Sequence, residues 1–214
     1  MSPLVRGVLK AAVFAACLTP FVLIVLRATG VASLSLSPNP VQDVLHTMGK
    51  TGLNILLLTL AVSPARRLTR INALITFRRM LGLFSFFYIA LHFATYAALD
   101  LGFAWATLFE DIAERPYITV GMTALALMVP LAATSTRGMQ RRLRKNWVKL
   151  HRLVYPIAVL SVTHFFWQTK LDTVEPSIYV LILAILLGER LYRRWTARAA
   201  ARRNVRAGPS ASRP

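Results

Sequence analysis

Residues 147–167 read WVKLHRLVYPIAVLSVTHFFW. The stretch is apolar along most of its length and long enough to cross a bilayer, which takes about 20 such residues. It also carries two imidazoles, His151 and His164. An ionisable group inside a membrane is expensive and is a functional residue by default. What the rest of the chain supplies at the same two depths decides what these histidines are for.

Five other runs share this character. Hydropathy places spans at residues 8–28, 46–63, 80–99, 117–135, 150–169 and 176–192. Helices are required rather than strands, because an open sheet edge leaves backbone groups unsatisfied in hydrocarbon. The expected fold is all-α: a polytopic membrane helical bundle of about six transmembrane helices within residues 1–195. A basic, small-residue-rich tail, residues 196–214, is expected to be disordered or surface-bound. Pro20, Pro130 and Pro156 fall inside spans and predict kinks or packed polar sites. Arg6 and Lys10 ahead of the first run give it the look of a signal peptide. No A-x-A cleavage site follows, so it reads as a retained helix.

Composition agrees. Of 214 residues, 56% are hydrophobic, and the mean hydropathy is +0.53, more apolar than a soluble domain of this length. The net charge of +18 raises nucleic acid as a partner, but the cations sit in short blocks between apolar runs, which excludes it. All but four of the 26 lysines and arginines sort to one side of the six spans; the exceptions are Arg27, Lys50, Arg115 and Lys170. By the positive-inside rule both termini are cytoplasmic, in a bacterial-type inner membrane. The opposite side carries Asp43, Asp100, Glu110, Asp111, Glu114, Asp172 and Glu175, an acidic face suited to a soluble partner.

Several chemistries are absent from the sequence. Cys17 is the single cysteine, so there is no intrachain disulfide, thiolate cluster or CxxC pair. No Ser-His-Asp set, paired catalytic carboxylates, P-loop or GxGxxG appears, and no soluble segment is long enough for a Rossmann domain.

Depth separates the histidines. His92 lies about 20 Å from the cytoplasmic start of its span, and His164 about 22 Å from the start of its own. Two helices therefore offer an imidazole at one level in the outer half of the membrane. His151 lies within about 3 Å of the cytoplasmic end, and His46 at the outer end of the second span. Neutral imidazole is a good iron ligand, and two facing helices can clamp a haem by both axial positions. Taken singly, each histidine also fits a packing role, bonded to a carbonyl.

His151 has no histidine at its level. Where a stacked partner would stand on the His92 helix the chain has Arg78, and about 140° of rotation separates His151 from His164 on an ideal helix unless Pro156 rewinds it. The inner level instead holds Arg78, Arg79 and Arg152, which suit a propionate, a phosphate or a phospholipid headgroup. Each of the three alone also fits the positive-inside rule. Tyr88, Tyr96 and Tyr155 are candidate cofactor contacts, with packing or interface roles the favoured reading, and Phe165, Phe166 and Trp167 read as an interfacial belt.

RRMLGLFSFFYIALHFATY (78–96), LAATS (131–135), the opening stretch (147–167) and GERLYRRW (188–195) together resemble the MsrQ (YedZ) family, within the ferric-reductase-like transmembrane group. The resemblance runs from the first span to Trp195. It implies a six-helix inner-membrane protein with heme b, and FMN as a further cofactor. It implies electron delivery to MsrP, a periplasmic molybdopterin subunit that reduces methionine sulfoxide in proteins. The implied donor is the quinone pool or a cytosolic flavin reductase. His92, His151 and His164 match the family's haem-associated histidines, while Arg78 departs from the two-haem pattern of NADPH-oxidase-like relatives and leaves room for flavin.

The expected role is an electron-transfer subunit rather than a catalytic one. Electrons pass from an inner cofactor near His151 and Arg78 to an outer haem on His92 and His164. Two rivals stand beside it: a stand-alone cytochrome reducing ferric iron or quinone, and a small transporter using His92 and His164 as a proton relay, which would be colourless when purified.

Overall fold

The computed structural model describes residues 2–29, 38–169 and 173–206. Lys170, Asp172 and residues 207–214 of the expected tail lie outside the described residues. The first helix, α1, spans Pro3–Ala28, and its N-terminus is capped by Ser2, whose hydroxyl accepts from the Val5 amide at 3.3 Å. α2 spans Pro40–Thr69, with Pro40 pre-set in its first turn, the Asn39 side chain accepting from the Gln42 amide, and a left-handed Arg70 ending it. A 3₁₀ turn, Asn72–Phe77, leads into α3, Arg78–Thr95, and α3 loosens into a π turn over Tyr96–Asp100. α4 is Trp105–Glu114 and α5 Pro116–Ala133. Two short helices follow, α6 (Arg137–Leu143) and α7 (Lys145–Leu150), then a 3₁₀ turn over His151–Leu153, α8 (Val154–Gln168) and α9 (Val174–Arg206).

The all-helical expectation holds. Among the described residues, Leu4–Ala28, Pro40–Thr69, Asn72–Asp100 and Pro116–Ala133 are each long and apolar enough to cross a membrane. The chain is a polytopic helical membrane protein. Large apolar side chains on α1, among them Leu4, Phe14 and Leu23, face outward, as a bilayer solvent requires.

α2 is the hub. One face joins α5, α8 and α9 through Leu53, Leu56, Leu57, Leu60, Met128, Ile157, Val162 and Leu183. Its other face joins α1 and α3 through Met48, Ile55, Cys17, Ile24, Leu81 and Tyr88. Ser85 donates to the Gly52 carbonyl at 2.9 Å between α3 and α2, an interhelical bond worth about 0.6 kcal/mol in a membrane. The fully buried Tyr88 does more than pack. Its hydroxyl accepts from the Phe21 amide at 3.1 Å and donates to the Cys17 carbonyl at 2.6 Å. It is thus wedged into the i→i−4 ladder of α1 beside Pro20, the kind of insertion that kinks a helix.

α9 runs alongside α2 and is pinned to it at two points. Lys50 pairs with Glu175 at 2.7 Å, and Arg67 grips both oxygens of Glu189 at 2.6 Å. Arg190 donates to the Leu60 carbonyl of α2 and, at 2.8 Å, to the Leu186 carbonyl of its own helix. The GERLYRRW motif is therefore a clamp between these two helices.

Two expectations are corrected. Residues 150–169 are not one continuous helix. Pro156 has no amide hydrogen to give to the carbonyl four residues back, and its ring crowds that carbonyl, so the helix breaks at His151–Leu153 and restarts. Residues 196–206, expected as irregular tail, continue α9, because TARAAARR is built from strong helix formers.

Candidate functional site

His92 on α3 and His164 on α8 meet. Their ring centroids are 6.2 Å apart with the planes 78° to one another. Each imidazole is fixed by the same device on the adjacent helix. His92 Nδ1 donates to the Leu45 carbonyl of α2 at 2.9 Å, and His164 Nδ1 donates to the Tyr117 carbonyl of α5 at 2.6 Å. With Nδ1 protonated on both rings, both Nε2 atoms keep their lone pairs. Acceptor and histidine are 47 residues apart in each case.

The residue four positions after each carbonyl is glycine. In a helix Cβ tilts toward the N-terminus, so the side chain at i+4 overhangs the carbonyl at i. A Cβ on Gly49 would lie 2.9 Å from His92 Nδ1, and one on Gly121 would lie 2.7 Å from His164 Nδ1. Only glycine lets an imidazole reach a carbonyl already engaged in its own helix. The α2–α3 and α5–α8 pairs therefore build matching halves of one site.

The two histidines open onto a cavity of about 340 Å³ toward one end of the bundle, within the range of small-molecule and cofactor sites. Leu53, Ile89, Phe93 and Leu125 supply apolar wall, while Lys50, Tyr96, Asp100 and Arg115 supply polar groups. The Tyr96 hydroxyl donates to Asp111, a buried carboxylate that also pairs with Arg115 at 3.0 Å. A hydrogen bond with Tyr117, and then the charge of Asp111, hold the Arg115 guanidinium above its ordinary pKa. The π turn matters here, since it opens the end of α3 where Tyr96 enters the cavity. At the rim the Gln168 amide donates to His46 Nε2 at 3.2 Å.

These residues fit a haem. His92 and His164 would hold it, since both imidazoles are anchored through Nδ1 and line one largely apolar cavity. Among the described residues no three histidine, cysteine or carboxylate side chains converge on a bare metal ion. A macrocycle that brings four nitrogens of its own needs only two more ligands.

His151 stands apart from this cavity. It stacks on Trp147 at 3.8 Å, its Nδ1 donates to the Trp147 carbonyl at 3.1 Å, and its Nε2 is buried, with the Leu131 backbone as its nearest hydrogen-bonding group among the described residues. The Trp147 indole in turn donates to the Thr134 carbonyl at 3.0 Å, which explains the tie between LAATS and the opening stretch. Arg78 is half-buried within electrostatic range of His151, whereas Arg79 and Arg152 are exposed. Of the acids on the expected acidic face, Asp111 is bonded to Tyr96 and Arg115, and Glu175 to Lys50.

Sequence reasoning missed Gly49, Gly121 and the Tyr96–Asp111–Arg115 group. The glycines left a trace, because Gly49 precedes His92 by the same interval that separates Gly121 from His164. Nothing in the sequence singles out Asp111 from its acidic neighbours.

The family model of the ferric reductase like transmembrane component matches residues 11–162. A membrane helical bundle with facing histidines on separate helices belongs to that class. At finer grain, the chain is 47% identical over 207 residues to the protein-methionine-sulfoxide reductase heme-binding subunit MsrQ of Xanthomonas campestris pv. campestris (strain B100), covering 95% of each chain. It is 45% identical over the same coverage to the MsrQ of Xanthomonas axonopodis pv. citri. It is 49% identical over 183 residues, 85% of this chain and 86% of the relative, to that of Rhodospirillum rubrum. The chain belongs to the MsrQ family.

Proposed function

We propose that this chain carries electrons across a bacterial inner membrane through heme b bound between His92 and His164. It passes them to a periplasmic molybdopterin methionine sulfoxide reductase of the MsrP type. The observation that carries the reading is the pair of free Nε2 lone pairs, set by two carbonyl-anchored Nδ1 hydrogens on rings 6.2 Å apart. The names of the relatives support it, since they are heme-binding subunits of a protein-methionine-sulfoxide reductase. When bound, the haem supplies a one-electron carrier in a low-dielectric interior. The protein orients both ligands, and the carbonyl bonds raise imidazole basicity. Leu53, Ile89 and Phe93 keep water out, and Lys50 and Arg115 provide cations suited to the carboxylates of the macrocycle.

In the full proposal six spans cross the membrane with both termini cytoplasmic, residues 1–195 being the transmembrane domain and 196–214 a cytoplasmic tail. α8 with its 3₁₀ joint, and the apolar part of α9, are the fifth and sixth spans. The two ion pairs that hold the apolar part of α9 along α2 support this. FMN is assigned to the inner level, with His151, Arg78, Arg79 and Arg152 around it and the half-buried Arg78 beside the His151 imidazole as the supporting observation. Quinone or a cytosolic flavin reductase is the donor, and the chain itself binds no methionine sulfoxide.

The test is the reduced-minus-oxidised absorption spectrum of the detergent-purified protein. His92→Ala and His164→Ala should each lose the low-spin spectrum while still inserting in the membrane. Full bis-histidine spectra from both variants would overturn the ligand assignment. His151→Ala should lower flavin content and leave the outer haem; equal loss of the haem counts against two levels.

A further inference from the structure

At the end of the bundle away from the histidine cavity, Tyr155 of α8 is ringed by cations. The Arg190 guanidinium carbon lies 5.4 Å from its ring centroid and that of Arg194 lies 5.7 Å away. Arg78 is within electrostatic range of Tyr155, Arg190 and Arg66. The four arginines come from α2, α3 and α9, so tertiary structure and not a basic run in the sequence assembles them. Arg78 and Arg190 are half-buried, and Arg190 is held in place by the Leu60 and Leu186 carbonyls.

Charge balance makes this cluster unusual. The chain has only eight acidic residues, and among the described ones Glu189 alone lies at this end. Both of its oxygens are bound by Arg67, and Arg193 shares one of them. Arg66, Arg78, Arg190 and Arg194 therefore have no carboxylate among the described residues. The Tyr155 hydroxyl likewise makes no hydrogen bond among them. Like charges partly withdrawn from water repel unless an anion joins them. The positive-inside rule explains cations that reach into water, but not the half-buried Arg78 and Arg190 held within electrostatic range of each other beside one tyrosine ring. The planar fork of arginine matches phosphate oxygens in pairs.

We propose that Arg66, Arg78, Arg190, Arg194 and the Tyr155 hydroxyl form a phosphate-binding site where the cytoplasmic ends of α2 and α3 meet the middle of α9. The ligand is a phosphoryl group, carried either by an anionic phospholipid or by a soluble phosphate. The site shares Arg78 with the inner flavin level proposed above, but Arg66, Arg190, Arg194 and Tyr155 are its own, and it stands whether or not His92 and His164 bind haem.

The experiment is native mass spectrometry of the full chain from micelles holding equal phosphatidylglycerol and phosphatidylcholine, with and without inorganic phosphate. The parent protein should select phosphatidylglycerol. Arg78→Gln/Arg194→Gln should lose about thirtyfold in that affinity, the loss expected from two surface-proximal cations. If the double variant fails to fold, the exposed Arg194→Gln alone should lose about fivefold. Arg198→Gln, farther along the same helix, is the control. Selection that resists phosphate identifies a lipid headgroup; displacement by phosphate identifies a soluble source. Parent-like selection by the Arg78 and Arg194 variants, or an equal loss in Arg198→Gln, overturns the proposal in favour of a diffuse basic surface.

Discussion

Gly121→Ala adds one methyl group where the structure has no space for it. The new Cβ would lie 2.7 Å from His164 Nδ1, 2.9 Å from Cε1 and 3.2 Å from Cγ. To reach ordinary contact at 3.4 Å the ring has to retreat by about 0.7 Å from α5. The Tyr117 carbonyl bond, 2.6 Å in the parent, would lengthen by up to that amount, to about 3.3 Å at most, past the normal range of about 2.7–3.2 Å. Overpacking of this size costs about 1–3 kcal/mol. Charged to cofactor retention, that is about 5- to 150-fold weaker binding. The assay is haem per protein after dilution and washing, together with the low-spin spectrum, which reports ligand orientation independently of electron delivery. Gly82→Ala is the control, since a Cβ there meets only Thr59 Cγ2, at 4.0 Å. Parental haem content and spectrum in Gly121→Ala, or equal loss in Gly82→Ala, would refute the glycine cradle.

Gly49→Ala should act in the same direction but less strongly, because its Cβ clears the His92 ring by slightly more; a larger effect than Gly121→Ala in the same assay would contradict the contact argument. Tyr88→Phe should cost about 1–3 kcal/mol by leaving the buried Cys17 carbonyl without its donor. Thermal unfolding in detergent measures this, and an unchanged midpoint would mean that α1 closes its own ladder beside Pro20. Glu189→Gln removes a pair whose side chains are 29% and 26% exposed, so its cost lies between an exposed and a buried pair, about 1–2 kcal/mol. The unfolding midpoint should fall by about 2–8 °C, and no fall would show that Arg67 and Arg193 gain nothing from the carboxylate.

Much of the site's location was legible because membrane depth is a one-dimensional quantity. Counting residues from the charged boundaries put His92 and His164 at one level, and they do meet. The break at His151 was half legible: Pro156 marked it, but an ideal-helix projection cannot say where a helix restarts. Gly49 and Gly121 were invisible for a different reason, since a glycine in a membrane helix has many explanations until its neighbour across the interface is known. Asp111 read as a surface acid because hydropathy carries no sign that Tyr96 and Arg115 would close over it. The arginines around Tyr155 were obscured by the positive-inside rule, which accounts for each of them singly and so gives no reason to group them.

The equal 47-residue interval in the two halves has a consequence for biogenesis. α2 with α3 holds one imidazole ready, and α5 with α8 holds the other, yet neither hairpin can complete the coordination alone. A ligand taking both nitrogens stabilises only the joined arrangement, by mass action. During synthesis the first hairpin would wait in the bilayer with its donor preset until the second arrives. Occupancy would then serve as a checkpoint on assembly, as well as loading the protein for electron transfer.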